Sequence, residues 1–260
     1  MVLINGMEAD SVSVHDRGFL YGDGVFRTFR FENGVPLHWE LQYAKLSGDC
    51  KALAIDCPPE SCFREDLEKL GKGNFVVKII VTRGIGARGF LPEKDMAANR
   101  FVMTSPLPEN PKSEIVARLC DLRLSHQPRL AGIKHLNRLE NVLARSEWRD
   151  PAISEGILLD LDGNVIEGTM SSLFFFRNGS LHAPDLSRCG VCGVQRMRVL
   201  EIGRRNGIEI LAGHFGIELL RNADEIFLVN SVIGLWQVTQ FEGVCWKKGE
   251  MSGKFREWLQ

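Results

Sequence analysis

At Asn5-Gly6, Asn33-Gly34, Asp162-Gly163 and Asn178-Gly179, a turn-forming pair follows a short apolar or alternating run. Such pairs supply the left-handed backbone that tight turns require, and Asn33-Gly34 is a strong hairpin signal. The flanking runs fit this reading. Residues 25–31, Val-Phe-Arg-Thr-Phe-Arg-Phe, alternate apolar and polar on the way into Asn33-Gly34, the period of a half-buried strand. Residues 2–4, 156–160 and 173–176 lead into the other three turns, and further strands are predicted over 75–81, 100–104, 115–122 and 225–230. Helical spacing appears over 39–53, through Leu41, Ala44, Leu46, Cys50 and Leu53, and over 136–148. A third helix is predicted over 195–206, closing on Gly207, a favoured residue just past a helix end. The mixture predicts an α/β (α+β) chain.

Pro106, Pro108 and Pro111 fall within six residues, and proline holds itself and its predecessor in extended geometry. That stretch is the linker. It separates a small α+β domain, residues 1–107, from a larger α/β domain, residues 115–260. At 260 residues the chain is long enough to bury a core without disulfide or metal staples.

Charge excludes some functions. Lys plus Arg number 32 and Asp plus Glu 33, a net charge of -1, which argues against sequence-independent nucleic-acid binding. No apolar run nears the ~18 residues of a membrane span. The N-terminus lacks a basic stretch of the kind that opens a secretory signal, so a cytoplasmic location is expected. The seven cysteines are an odd number, which suits free thiols in a reducing compartment. A zinc site from Cys189 and Cys192 with Cys57 and Cys62 would need four converging ligands. The 57–62 spacing is loose for that, and no metal is expected.

Gly84-Ile-Gly-Ala-Arg-Gly89 fits the glycine pattern of dinucleotide sites and follows a predicted strand. Such a site needs a helix directly afterwards, whose N-terminus holds the pyrophosphate. Here Phe90-Leu-Pro92 follows, and the next strand begins about ten residues on, too close for a crossover helix. The glycines are better read as shaping a loop that presents Arg83 and Arg88, whose guanidinium groups suit carboxylates.

Singly, Lys134 at a helix entrance and Glu167 between two strands are ordinary residues. They gain meaning as part of a set. Asp16-Arg-Gly-Phe-Leu-Tyr-Gly-Asp-Gly24, Lys134-His-Leu-Asn-Arg-Leu-Glu140, Glu167-Gly-Thr169 and Gly190-Val-Cys-Gly-Val-Gln-Arg196 follow one another as in fold-type IV pyridoxal-phosphate enzymes, and the chain resembles that family over nearly its whole length. The family includes branched-chain and D-amino acid aminotransferases and 4-amino-4-deoxychorismate lyases. The segments around Lys134 and from Val229 to Trp236 look most like the lyases.

The resemblance implies pyridoxal 5'-phosphate in a cleft between the two domains of a homodimer acting on a small-molecule substrate. Lys134 matches the lysine that holds the cofactor as a Schiff base and moves protons. Glu167 matches the carboxylate that keeps the pyridine nitrogen protonated, so that the ring accepts electrons. Gly193, Val194 and Gln195 match a phosphate-binding helix N-terminus, and Asn230 and Ser231 a second phosphate-binding turn. Lys45 stands where the family generally has a phosphate-binding arginine, keeping the charge without the bidentate fork. Arg88 and Arg83 would orient substrate carboxylates, with the neighbouring subunit as one source of them. Arg27, Ser172 and Gln237 depart from residues usual in the family. The implied activity is the lyase, making 4-aminobenzoate and pyruvate for folate synthesis, with a branched-chain or D-amino acid aminotransferase as the alternative.

Overall fold

The computed structural model describes residues 1–109 and 112–260; Pro111, the last proline of the expected linker, lies outside the described residues. The chain forms two units. Unit 1 comprises Met1–Glu109 together with Ile133–Asn137, and unit 2 is the rest.

Unit 1 runs β1 (Val2–Ile4), β2 (Met7–Glu8), α1 (Arg17–Tyr21), β3 (Gly24–Glu32), β4 (Val35–Pro36), α2 (Trp39–Ala52), α3 (Glu60–Lys69), β5 (Phe75–Thr82) and β6 (Asn99–Ser105). Among the described residues its strands form one six-stranded sheet, ordered β2-β1-β6-β5-β3-β4. The expected turns at Asn5-Gly6 and Asn33-Gly34 adopt positive φ and pair β1 with β2 and β3 with β4, both antiparallel. Strand β3 turns Val25, Arg27, Phe29 and Phe31 inward. Three of these join the apolar core with Trp39, Leu46 and Phe63, and the fourth is an arginine.

Helix α2 buries Trp39, Gln42, Leu46, Asp49 and Cys50, a helical stripe rotated from the one read in the sequence. Leu41 and Ala44, counted there as core-facing, point outward. The rotation places polar Gln42 and Asp49 inside, where a pattern of apolar residues alone gives no sign of them.

Unit 2 runs β7 (Glu114–Leu124), α4 (Leu139–Arg145), β8 (Ile153–Asp160), β9 (Val165–Gly168), β10 (Ser172–Arg177), β11 (Ser180–Pro184), α5 (Val194–Arg205), β12 (Ile210–Gly213), α6 (Ile217–Arg221), β13 (Glu225–Asn230), β14 (Gly234–Phe241), β15 (Val244–Cys245) and α7 (Glu250–Trp258). Its sheet follows β12-β11-β10-β13-β14-β7-β8-β9, and β9 pairs back onto β10. The path β10-β13-β14-β7-β8-β9 therefore closes into a ring. Strands β10 and β13 are covered on both faces: Leu173, Phe175, Ile226 and Leu228 enter one apolar cluster, and Phe174, Phe176, Phe227 and Val229 another. That double burial accounts for the unbroken apolar runs in both strands.

Two boundaries differ from the sequence reading. The helix predicted over 136–148 is only Leu139–Arg145, because the preceding residues extend along β3. The amide of Phe26 donates to the Lys134 carbonyl, and that of Leu136 to the Gly24 carbonyl, each at 2.9 Å. For the same reason 133–137 pack with unit 1, with Ile133 in its core, although the sequence reading assigns all of 115–260 to the larger domain. Helices α1, α3, α6 and α7 and strands β12, β14 and β15 were not anticipated.

Candidate active site

In unit 1, Lys134 follows buried Ile133 and is held by its backbone on both sides. Its carbonyl accepts from Phe26, and its amide donates to Asp49 Oδ2 at 3.1 Å. Its ammonium lies 4.6 Å from the centre of the Phe26 ring, close enough for a cation–π contact. Asp49 is buried and also accepts from Arg27 Nη2 and from Lys45 Nζ, the latter one helical turn away. One carboxylate thus fixes the backbone of Lys134 and two neighbouring cations. An unpaired buried charge is costly, which is why Arg27 and Asp49 require one another. Neither Asp49 nor this role of Arg27 was found from the sequence. The register of β3, which puts Arg27 on the core face, was the available signal.

The 84–89 loop in unit 1 is not followed by a helix; the chain continues to β6 without one. Gly84 has φ +96° and a Cβ there would sit 2.0 Å from the Ala97 carbonyl oxygen, so loop packing demands this glycine. Arg83 donates to both carboxylate oxygens of Asp23, at 2.7 and 3.0 Å, and to the carbonyls of Ala54 and Leu53, at 2.6 and 2.8 Å. Arg17 also donates to Asp23, at 2.9 Å, and its two terminal nitrogens donate to the carbonyls of Gly89 and Phe90. Burial alone would raise the Asp23 carboxyl, but the bonds from Arg83 and Arg17 hold it below its ordinary value. Arg88, on the same loop, is exposed.

In unit 2, Glu167 lies in β9 directly opposite Ser172 of β10, at the closure of the ring. Its side chain is buried, and Oε2 accepts from the Val191 amide at 2.9 Å. Arg138 is half-buried. Burial lowers its guanidinium, while the charge of Glu167 partly offsets that shift.

The turn after Glu167 is organised by Glu155, which is fully buried and was not anticipated. Glu155 accepts from the amides of Gly156, Thr169 and Met170 and from the hydroxyls of Thr169 and Ser171. Burial pushes its carboxyl up, and these donors pull the other way.

Gly193 is the N-cap of α5 and supplies no side-chain cap to Val194 and Gln195. The helix therefore presents backbone N–H groups at its positive end. In the turn between β13 and β14, Asn230 Oδ1 accepts from the amides of Val232 and Ile233, and its Nδ2 donates to the Met170 carbonyl. Asn230 thus shapes the turn that carries Ser231 and ties it to the segment following Glu167.

Each unit by itself carries groups that suit a part of pyridoxal phosphate. Unit 2 offers a fixed buried carboxylate for a protonated ring nitrogen, and amides at a helix N-terminus with a hydroxyl-bearing turn for a phosphate. Unit 1 offers a backbone-anchored lysine and the second ammonium of Lys45.

Comparisons with known proteins show the family. The amino-transferase class IV family model matches residues 24–241. Aminodeoxychorismate lyase of Vibrio harveyi is 30% identical over 248 residues, covering 92% of this chain and 90% of the relative. A putative branched-chain-amino-acid aminotransferase of Methanocaldococcus jannaschii is also 30% identical, covering 98% and 94%. The crystal structure of 4-amino-4-deoxychorismate lyase from Pseudomonas aeruginosa superposes with a TM-score of 0.95 at 40% identity, covering 100% of this chain and 98% of that one. The chain belongs to the class IV amino-transferase family, the fold-type IV enzymes.

Proposed function

We propose that this protein is a pyridoxal-phosphate-dependent 4-amino-4-deoxychorismate lyase, releasing 4-aminobenzoate and pyruvate. The observation that carries the reading is the full-length similarity, at 40% identity, to the Pseudomonas aeruginosa lyase. The cofactor would be held by Lys134 and Lys45, by Glu167, by the amides of Val194 and Gln195 that follow Gly193, whose own amide donates to the Val191 carbonyl at 3.1 Å, and by the Asn230–Ser231 turn. When bound, it supplies an electron-accepting ring that stabilises negative charge at the carbon bearing the substrate amine.

The chain's own residues do the rest. Glu167 keeps a proton on the ring nitrogen, because its buried carboxylate favours a cationic partner. Lys134 Nζ takes the proton from the substrate carbon bearing the amine. The bond to the enolpyruvyl oxygen then breaks as the product ring becomes aromatic, and Lys134 Nζ returns a proton to the leaving group. Asp49 anchors the backbone from which Lys134 works. Arg88 is the candidate to orient a substrate carboxylate. Arg83 has four hydrogen bonds engaged within unit 1, which favours Arg88 over it for that part.

The M. jannaschii relative, at the same 30% identity as the V. harveyi lyase, supports an aminotransferase as the second reading. The two readings differ in what a turnover requires. A lyase yields 4-aminobenzoate and pyruvate in equal amounts from aminodeoxychorismate, with no keto acid added. Rapid keto-acid-dependent exchange with D-alanine or leucine, with aminodeoxychorismate untouched, would establish the aminotransferase instead. We further propose a homodimer, located in the cytoplasm, where reducing conditions suit seven free cysteines. A light-scattering mass of one 29.2 kDa chain for fully active protein would overturn the dimer.

A further inference from the structure

Helix α2 ends in a turn whose geometry brings two cysteines together. The amide of Ile55 donates to the Cys50 carbonyl at 2.9 Å and that of Ala54 to the Lys51 carbonyl at 3.0 Å. These are the two bonds of a Schellman cap. Ala54 occupies the left-handed position at φ +52°. The chain therefore doubles back along the last turn of α2, and Cys57 packs against the unit 1 core that contains Cys50, with the two thiols near enough to influence one another. Arg83 holds the reversal from outside by donating to the carbonyls of Leu53 and Ala54.

The two sulfurs differ in surroundings. Cys50 is fully buried in the unit 1 core, whereas Cys57 is half-buried and lines an open surface cavity of about 400 Å³ with Ser47, Lys51 and Asp56. Donation from Cys50, and then from Ser47, holds the Cys57 thiol below its ordinary value. The same thiol–thiol bond, together with burial, pushes Cys50 up. Elsewhere, burial pushes Cys120 and Cys189 up to about 12, and neither lines this cavity.

We propose that Cys50 and Cys57 form an oxidation-sensitive dithiol, in which Cys57 meets a hydroperoxide through the surface cavity and Cys50 resolves the product to a reversible disulfide. In the first step the Cys57 thiolate attacks the hydroperoxide. An S–O bond forms, the O–O bond breaks, and the alcohol (water, for hydrogen peroxide) departs with the proton. In the second step the Cys50 sulfur attacks the Cys57 sulfenic acid. The S–S bond forms, the S–O bond breaks, and hydroxide leaves with the Cys50 proton as water. Two thiols are oxidised and one hydroperoxide is reduced. Disulfides of this transient kind are compatible with a reducing compartment.

The test treats the full-length, cofactor-loaded protein with hydrogen peroxide, blocks remaining thiols, and maps peptides without reduction. The expected result is a Cys50–Cys57 cross-link, lighter by two hydrogens than the paired thiol peptides and reversed by dithiothreitol. It should appear well before oxidation of exposed Cys245, because the thiolate is the attacking form and the Cys57 thiol is held below its ordinary value. Cys57→Ser should remove the cross-link and leave Cys50 alkylatable after denaturation. Cys50→Ala should leave Cys57 as a sulfenic acid trapped by dimedone. If Cys50→Ala does not fold, the wild-type map and Cys57→Ser decide alone. Oxidation of Cys245 ahead of Cys57, a Cys57–Cys62 or interchain link, or an unlinked pair under peroxide would each overturn the proposal.

Discussion

The backbone amide of Lys134 donates to the carboxylate of Asp49 at 3.1 Å, on the same oxygen that receives Arg27 Nη2. The residue proposed to carry the cofactor is therefore anchored through its main chain to a buried ion pair. Asp49→Ala should destabilise the protein by about 3–5 kcal/mol, because it leaves Arg27 buried without its carboxylate. The double replacement Arg27→Met with Asp49→Leu should recover much of that loss. Urea denaturation of the wild type and the two variants checks both statements.

Borohydride reduction of the purified yellow protein should fix the cofactor to the peptide containing Lys134. Lys134→Ala should lose both the label and the activity. Mass spectrometry placing the label on another lysine would remove Lys134 from its assigned role.

Glu167→Gln should keep the cofactor and lower kcat by roughly 100-fold or more, the scale of removing one preorganised electrostatic group from a site. The loss should fall on kcat more than on KM, since a neutral amide weakens stabilisation of charge that develops only during turnover. Steady-state kinetics with a normal cofactor spectrum and near wild-type kcat would count against the assignment.

Asp23 has a folded-state pKa below its ordinary value of 3.8, so it binds fewer protons folded than unfolded in that range. Its contribution to stability is present above pH ~4 and fades as pH falls through the lowered folded value. Asp23→Asn should therefore be less stable than wild type at pH 7, with the difference closing in strong acid. Thermal melts across pH follow it directly.

Ala54 adopts a left-handed conformation that costs a non-glycine residue roughly 1–2 kcal/mol, against a smaller entropic cost for glycine there. Ala54→Gly should accordingly stabilise the protein by roughly 0.5–1 kcal/mol. A lower denaturation midpoint for the variant would show that contacts of the Ala54 methyl outweigh the backbone relief.

Legibility from sequence varied with the range of the interactions involved. Strands 25–31, 75–81 and 225–230 were legible because their side-chain periods or apolar runs are local. The turn pairs were legible because asparagine and glycine carry their own backbone preference. The helix at 136–148 was overestimated because its first residues satisfy their backbone against a strand more than 100 residues earlier, which periodicity cannot register. Asp49 and Glu155 escaped notice for a related reason. Each looks like a surface acid until the fold supplies its partners: Arg27 and the Lys134 amide for one, the 169–171 turn for the other. Glu167 and Lys134 were found only through the ordered motif set, since neither has a local pattern that distinguishes it.

The five residues 133–137 give this protein an unusual lineage constraint. A gene fragment encoding residues 1–109 would specify every strand of the unit 1 sheet and still omit the lysine, whereas a fragment encoding the remainder would contain Lys134 without Phe26, Asp49 or the strand that its backbone lies along. No single cut separates the chain into two self-sufficient halves. The two units could not have been joined by simple end-to-end fusion of parts already bearing their present roles, and any shuffling of one against another relative's must carry this short insert across the junction.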